Sequence, residues 1–296
     1  MKITIEVGTE EQKELIRQEL LFIAELCETI ENPPKITGIW VPSDFDNTVN
    51  ILQGTTDYVS ERGHLAVAKN VIQEQGTALV FSPLLFTDSH DNQTRLQIYL
   101  HEFWHTLNKQ IFPEIPKDSL AKYEYFQTIY ILYDEYSANR KSFELTEKGF
   151  PNASDRYKRL TRNSVTGFLR DIIKAEKHYQ YILKEIFKFR LHANVSLFLK
   201  NTRDIFDLIA KSLVYFYSYV HHYQKHERLI KFLNGSKFVD ENAFSLVDFL
   251  KTKYEEGDTD LVDGLIYLKN FMKKFGIEFE DKPEGLYCHV IDIQSN

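Results

Sequence analysis

Leu100-His101-Glu102-Phe103-Trp104-His105-Thr106 is the stretch on which the reading of this 296-residue chain turns. His101 and His105 are four residues apart. On an α-helix that spacing puts both imidazoles on one face, one turn apart, where they can share a metal ion. Glu102 lies beside them, where a carboxylate can take a proton from a metal-bound water. The surrounding sequence favours a helix. Asp91, Asn92 and Thr94 are N-cap candidates, and no Gly or Pro occurs from Gln93 to Gln110. Leu96, Leu100, Phe103, Leu107 and Ile111 form an apolar stripe for a core. Ile98, His101, His105 and Asn108 form the adjacent stripe, so one side packs and its neighbour presents ligands.

The pattern H-E-x-x-H is the signature of zinc peptidases. A catalytic zinc takes three protein ligands and leaves a fourth position for water. The metzincin continuation needs Gly three residues after the second His and a His three residues later, but Asn108 and Ile111 stand there. A Glu from a second helix is the alternative. The run Tyr130-Ile131-Leu132-Tyr133-Asp134-Glu135-Tyr136-Ser137-Ala138-Asn139-Arg140 supplies Glu135. Asn139, one turn on, lies on the same face and can accept a hydrogen bond from the free ring N–H of His101, fixing that ligand's tautomer. Ala138 is small enough for two helices to approach closely.

H-E-x-x-H followed by E-x-x-A-N on a later helix resembles the gluzincins, most of all the ImmA/IrrE-type metallopeptidases. The resemblance covers roughly residues 36 to 146. It implies His101 and His105 as zinc ligands, Glu102 as general base, Glu135 as third ligand and Asn139 as the supporting residue. Trp104 departs from the pattern, since a small residue usually precedes the second His. Glu124, Asp134 and Glu144 are the rival acids for the third position. The resemblance also implies that a sheet edge beside the metal helix takes the substrate main chain by strand addition. Thr77 to Ser82 or its neighbour is the strand expected there, with an ordinary core strand as the competing reading.

Composition bounds the remaining classes. Apolar residues make up 43% of the chain, enough for a sizeable core, and Phe and Tyr number 22 and 17. A net charge of −7 argues against a general nucleic-acid surface. Two cysteines, Cys27 and Cys288, do not make a disulfide framework. The N-terminus alternates like a strand and lacks the apolar core of a signal peptide. Ile205 to Val220 is broken by Asp207 and Lys211 and is too short to span a bilayer. A soluble cytoplasmic protein is expected, with an effector secreted without a cleaved signal left open.

In chain order, residues 2 to 7 read as a strand, and Thr9 with Gln12 as a capping box opening a helix to about Glu31. Ile36 to Val41 reads as a strand, and residues 43 to 64 as a loop with one short helix. Ala66 to Gln75 is ambiguous between a helix and a hairpin arm, and Thr77 to Ser82 is a strand. Pro83 to Asn92 leads into the metal helix, and His90 in it reads as a solvated loop residue. After Pro113 and Pro116, Asp118 or Ser119 caps a helix reaching about Lys148. Beyond Gly149-Phe150-Pro151-Asn152 the pattern is helical: Arg156 to Arg190 (one helix, or two broken near Gly167), Arg203 to Leu233, Asn242 to Glu255 and Thr259 to Lys274. Leu286 to Ile293 is a candidate strand. His221, His222 and His226 read as a polar helix face, with an oxyanion donor as the sharper alternative. Arg156, Lys158, Arg159 and Arg162 read as a solvated basic face.

The expectation is an α+β chain: a zincin-like metallopeptidase domain over residues 1–148, then an all-α, mainly helical domain over 152–296. The expected activity is hydrolysis of a peptide bond in a specific protein substrate. The resemblance suggests a transcriptional repressor as one such substrate. Zn²⁺ is the expected cofactor. Neither a membrane nor direct nucleic-acid binding is expected, and a homodimer through the helical half is an open partner. The competing expectation is a non-catalytic metal-binding or protein-interaction module on the same fold.

Overall fold

The structure, a computed structural model, describes residues 2–28, 32–60, 67–87, 92–111, 119–149, 154–223, 233 and 236–290. The chain is α+β and forms two compact units. The first comprises residues 1–111 and 141–160, and the second 112–140 and 161–296. Residues 112–140, grouped with the metallopeptidase domain on sequence, thus cluster with the second unit.

In the first unit, β1 (Lys2–Ile5), β2 (Ile36–Val41), β3 (Ala68–Gln73) and β4 (Gly76–Phe81) form one sheet in the order β1-β2-β4-β3. β1, β2 and β4 are parallel, and β3 returns antiparallel to β4. The hairpin is tight: Gln73 pairs with Gly76, whose φ of +145° suits glycine. The ambiguous stretch is a strand over Ala68–Gln73. Val71 is β-branched and buried against α2, which makes the local reason.

Helix α1 (Glu10–Glu28) opens with the expected capping box. The Thr9 N–H donates to Gln12 Oε1 at 2.9 Å, and the Gln12 N–H donates to Thr9 Oγ1 at 3.3 Å. Helix α2 (Phe45–Gln53) is capped by Asp44 and stopped by Gly54 in the left-handed region. Helix α3 is Asn92–Ile111 and carries the histidine motif. One core joins Ile16 and Leu20 of α1, Ile39 and Val41 of β2, Leu79 and Phe81 of β4, and Tyr99 and Phe103 of α3. On the sheet's other face Phe45 and Val49 of α2 cover Val71, Ala78 and Val80. The alternation along β4 sends Leu79 and Phe81 to one core and Ala78 and Val80 to the other.

The second unit holds residues up to Arg140 of α4 (Leu120–Gly149), α5 (Ser154–His192) from Thr161 onward, α6 (Val195–Tyr223), α7 (Glu241–Glu256) and α8 (Leu265–Lys273). Gly167 does not break α5, which is one helix. The expectation of an all-α second half is corrected by a hairpin, β5 (Ile277–Lys282) with β6 (Gly285–Val290). β6 was legible as a strand. β5 alternates only over Ile277 to Phe279 before Glu280-Asp281-Lys282, too short a pattern to stand out beside a helix stop. Its Asp281 serves α4: Oδ1 accepts the Ala121 N–H at 2.9 Å and Oδ2 accepts the Ser119 hydroxyl. Ser119 is itself the cap, its Oγ accepting the Lys122 N–H at 2.9 Å.

Candidate metal centre

Helix α3 is held at a fixed height over the sheet by its inner face. Leu96, Tyr99, Leu100 and Phe103 are all buried. Arg95 and Tyr99 both bond Glu19 of α1: Arg95 Nε donates at 2.9 Å to Oε2, and the Tyr99 hydroxyl donates to the same oxygen at 3.1 Å. Burial and the Glu19 charge push the Tyr99 phenol well above its usual range. Tyr99 was not in the stripe read from sequence, although it stands three residues after Leu96 and four before Phe103 and so shares its spacing.

The adjacent stripe behaves as expected. His101 and His105 turn the same way, with Nε2 atoms 2.9 Å apart and rings nearly perpendicular. Two nitrogens each about 2.0–2.1 Å from one tetrahedral zinc lie roughly 3.3 Å apart. The pair is therefore near the separation a shared ion requires. His105 and Asn108 are buried and His101 is half-buried.

Glu135, the expected third ligand, is buried on α4 in the second unit, whereas His101 and His105 belong to the first. Two imidazoles and a carboxylate are a donor set that suits zinc. Two of the three rival acids have ion-pair partners. Glu124 pairs with Arg203 at 2.9 Å and Glu144 with Lys141 at 3.1 Å. Asn139 is buried, and its Nδ2 donates to the carbonyl of Glu135 at 3.0 Å, one turn back along α4.

Glu102 faces the edge strand. Asn70 of β3 donates through Nδ2 to the Glu102 carbonyl at 2.9 Å and to its carboxylate oxygen Oε2. Tyr58 is close enough to feel the same carboxylate. Burial first, then the charges of Asp46 and Glu102, push its phenol up to about 12. Lys69 lies over the Tyr58 ring at 5.5 Å. Trp104, the departure from the family pattern, is half-buried, with the Lys141 ammonium 5.7 Å from its ring centre.

The strand Thr77 to Ser82 lies in the sheet interior, between β2 and β3, so it is a core strand. Its neighbour β3 holds the edge. Asn70, Lys211 and Tyr215 are site residues that the sequence reading missed. No motif marks any of them. The one available signal was that Lys211 and Tyr215, which both bond Glu135, stand four apart and so share one helix face.

His221, by contrast, is buried within the second unit and bonds the Tyr136 hydroxyl through Nδ1 at 2.7 Å, with Asp248 3.7 Å from Nε2. It is a core histidine. His90 and His226, the Phe150-Pro151-Asn152 boundary and the side chains of Arg156, Lys158, Arg159 and Arg162 lie outside the described residues. Among the described residues, no helix is long and apolar enough to cross a membrane.

No protein-family model matches the chain, and no curated protein or solved structure is significantly similar to it.

Proposed function

We propose that the chain is a zinc-dependent endopeptidase on a zincin-like scaffold of the gluzincin, ImmA/IrrE-like kind. The observation that carries this reading is the pairing of His101 and His105 on one face of α3, their Nε2 atoms 2.9 Å apart, with Glu102 next to His101 in the same helix. An antiparallel edge strand beside the motif helix supports the scaffold assignment.

In this reading His101, His105 and Glu135 hold the ion. When bound, zinc supplies an acidified water and a Lewis acid for the scissile carbonyl. The remaining work falls to the chain. The Glu102 carboxylate accepts the proton and later returns it to the leaving amine. Asn70 fixes the direction in which that carboxylate points, through its bond to Oε2. The outer edge of β3 offers main-chain N–H and C=O groups to an extended peptide. Substrates are thus expected to be protein segments in extended conformation. A transcriptional repressor cut in the cytoplasm is the regulatory substrate that the family resemblance favours.

Glu102→Gln tests the reading. Metal content, measured by elemental mass spectrometry on untagged protein, should stay near that of the wild type while peptide hydrolysis is lost. Hydrolysis at the wild-type rate would remove Glu102 from the role of base.

A second reading has one observation in its favour. Both carboxylate oxygens of Glu135 already accept hydrogen bonds from α6, which suits a metal-binding or sensing module with a saturated site. A fourth protein ligand on the bound metal, read by X-ray absorption, selects that reading; a bound water selects the peptidase.

A further inference from the structure

Glu135 has two partners on α6, within the same unit. Lys211 Nζ donates to Oε1 at 2.7 Å, and the Tyr215 hydroxyl donates to Oε2 at 2.8 Å. Lys211 and Tyr215 are four residues apart, so one face of α6 delivers both. Eight residues before Lys211 on the same helix, Arg203 pairs with Glu124 of α4 at 2.9 Å. The two helices are therefore also joined by a contact that involves none of His101, His105 and Glu135.

The two donors differ in how firmly they are held. The Glu135 side chain is only 10% exposed, whereas that of Lys211 is 34% exposed. A carboxylate buried to this depth needs a counter-charge to stay ionised. Lys211 supplies it. Yet a divalent ion on Glu135 would stand within a few ångströms of the ammonium, and two cations in a part-buried setting repel strongly. Of the groups involved, the lysine has a long flexible stem and a path to water, so it is the one able to leave. Tyr215 is neutral and meets no such repulsion.

We propose that Lys211 is a placeholder cation. It neutralises Glu135 while the site holds no metal and surrenders the carboxylate when a divalent ion arrives, whereas Tyr215 holds the carboxylate in both states. The proposal rests on the reading of His101, His105 and Glu135 as metal ligands. It gives Lys211 and Tyr215 opposite effects on metal affinity, although both bond the same carboxylate.

The test is the affinity of the full chain for Zn²⁺ alone, measured by competition with a chromophoric chelator, beside thermal unfolding of the metal-free protein. Lys211→Met should bind zinc about tenfold more tightly or better, because a like charge beside the ion is gone. Metal-free Lys211→Met should unfold at a lower temperature than the wild type. Lys211→Arg keeps the charge and grips a carboxylate with two donors, so its affinity should equal or fall below that of the wild type. Tyr215→Phe should bind zinc about tenfold more weakly. Lys211→Gln replaces the methionine variant if the latter does not fold. Equal or weaker binding by the uncharged variants would make Lys211 an ordinary positioning residue and overturn the proposal while leaving the metal site intact. Tighter binding by Lys211→Arg would also overturn it, since charge would not be the cause. Absence of zinc binding by the wild type would instead remove the metal reading, and the placeholder role with it.

Discussion

Asn70 holds Glu102 at two points, its side-chain amide donating to the backbone carbonyl at 2.9 Å and to the carboxylate of the same residue. The bond to the carbonyl ties a strand to a helix. The bond to the carboxylate aims an acid. A residue argued to aim a base should affect turnover more than folding. Asn70→Ala is expected to lower kcat by about tenfold to a hundredfold, the cost of a misplaced catalytic group. Its KM and zinc content should change little. Steady-state kinetics on a peptide substrate checks this, and an unchanged kcat would leave Asn70 a purely structural link.

Glu102→Gln keeps the shape of the side chain and removes its basicity. Peptidase activity is expected to fall by roughly 10²–10⁴-fold. Calorimetric zinc titration should give a binding constant close to that of the wild type, because Glu102 is not among the three proposed ligands His101, His105 and Glu135.

Glu135→Ala removes the one carboxylate among the proposed ligands His101, His105 and Glu135. Zinc stoichiometry by elemental mass spectrometry should drop well below one per chain. Zinc retained in full would hand the third position to another acid. Glu124 and Glu144 would first have to release Arg203 and Lys141.

Phe103 faces away from the histidines and is fully buried in the core shared by α1, α3 and the sheet. Phe103→Ala is expected to cost about 3–5 kcal/mol of stability in urea unfolding, through lost transfer energy and the cavity left behind. A cost below about 1 kcal/mol would mean that this core closes over the gap.

Asp281 accepts bonds from the Ser119 hydroxyl and the Ala121 N–H at the start of α4, and these hold its carboxyl below the usual Asp value. The sign follows from linkage. A carboxyl with a depressed folded pKa stabilises above its unfolded value, near about 3.9, and that contribution is lost as pH falls through the lower folded value. Urea midpoints of the wild type should therefore decline as pH falls below about 4. Asp281→Asn should show a shallower decline. Parallel acid limbs would show that the cap carries no pH-linked stability.

Local chemistry made the first unit readable. The capping box at Thr9 and Gln12, the strand Ile36–Val41 and the helix Asn92–Ile111 all rest on near neighbours: side-chain alternation, a cap, an uninterrupted run of helix formers. The pairing of His101 with His105 belongs here too, because a helix repeats every 3.6 residues wherever it is placed. The short acids-and-tyrosines segment around Glu135 could be read as a helix on the same grounds, and the family pattern singled out Glu135 from its rivals.

Other features depend on residues far apart in the chain. Asn70 meets Glu102 across 32 positions, and Lys211 and Tyr215 meet Glu135 across 76 and 80. Asp281 reaches Ala121 across 160. Sheet order is of the same kind. That β3 and not β4 takes the edge follows from β4 pairing on both sides, which no single strand's pattern encodes. By itself the sequence determined which residues can share a helix face and which chemistry that face can support, since period and side-chain type are local properties. Only the tertiary structure decided which partners aim, neutralise and hold those groups, because such contacts exist only once distant elements have packed.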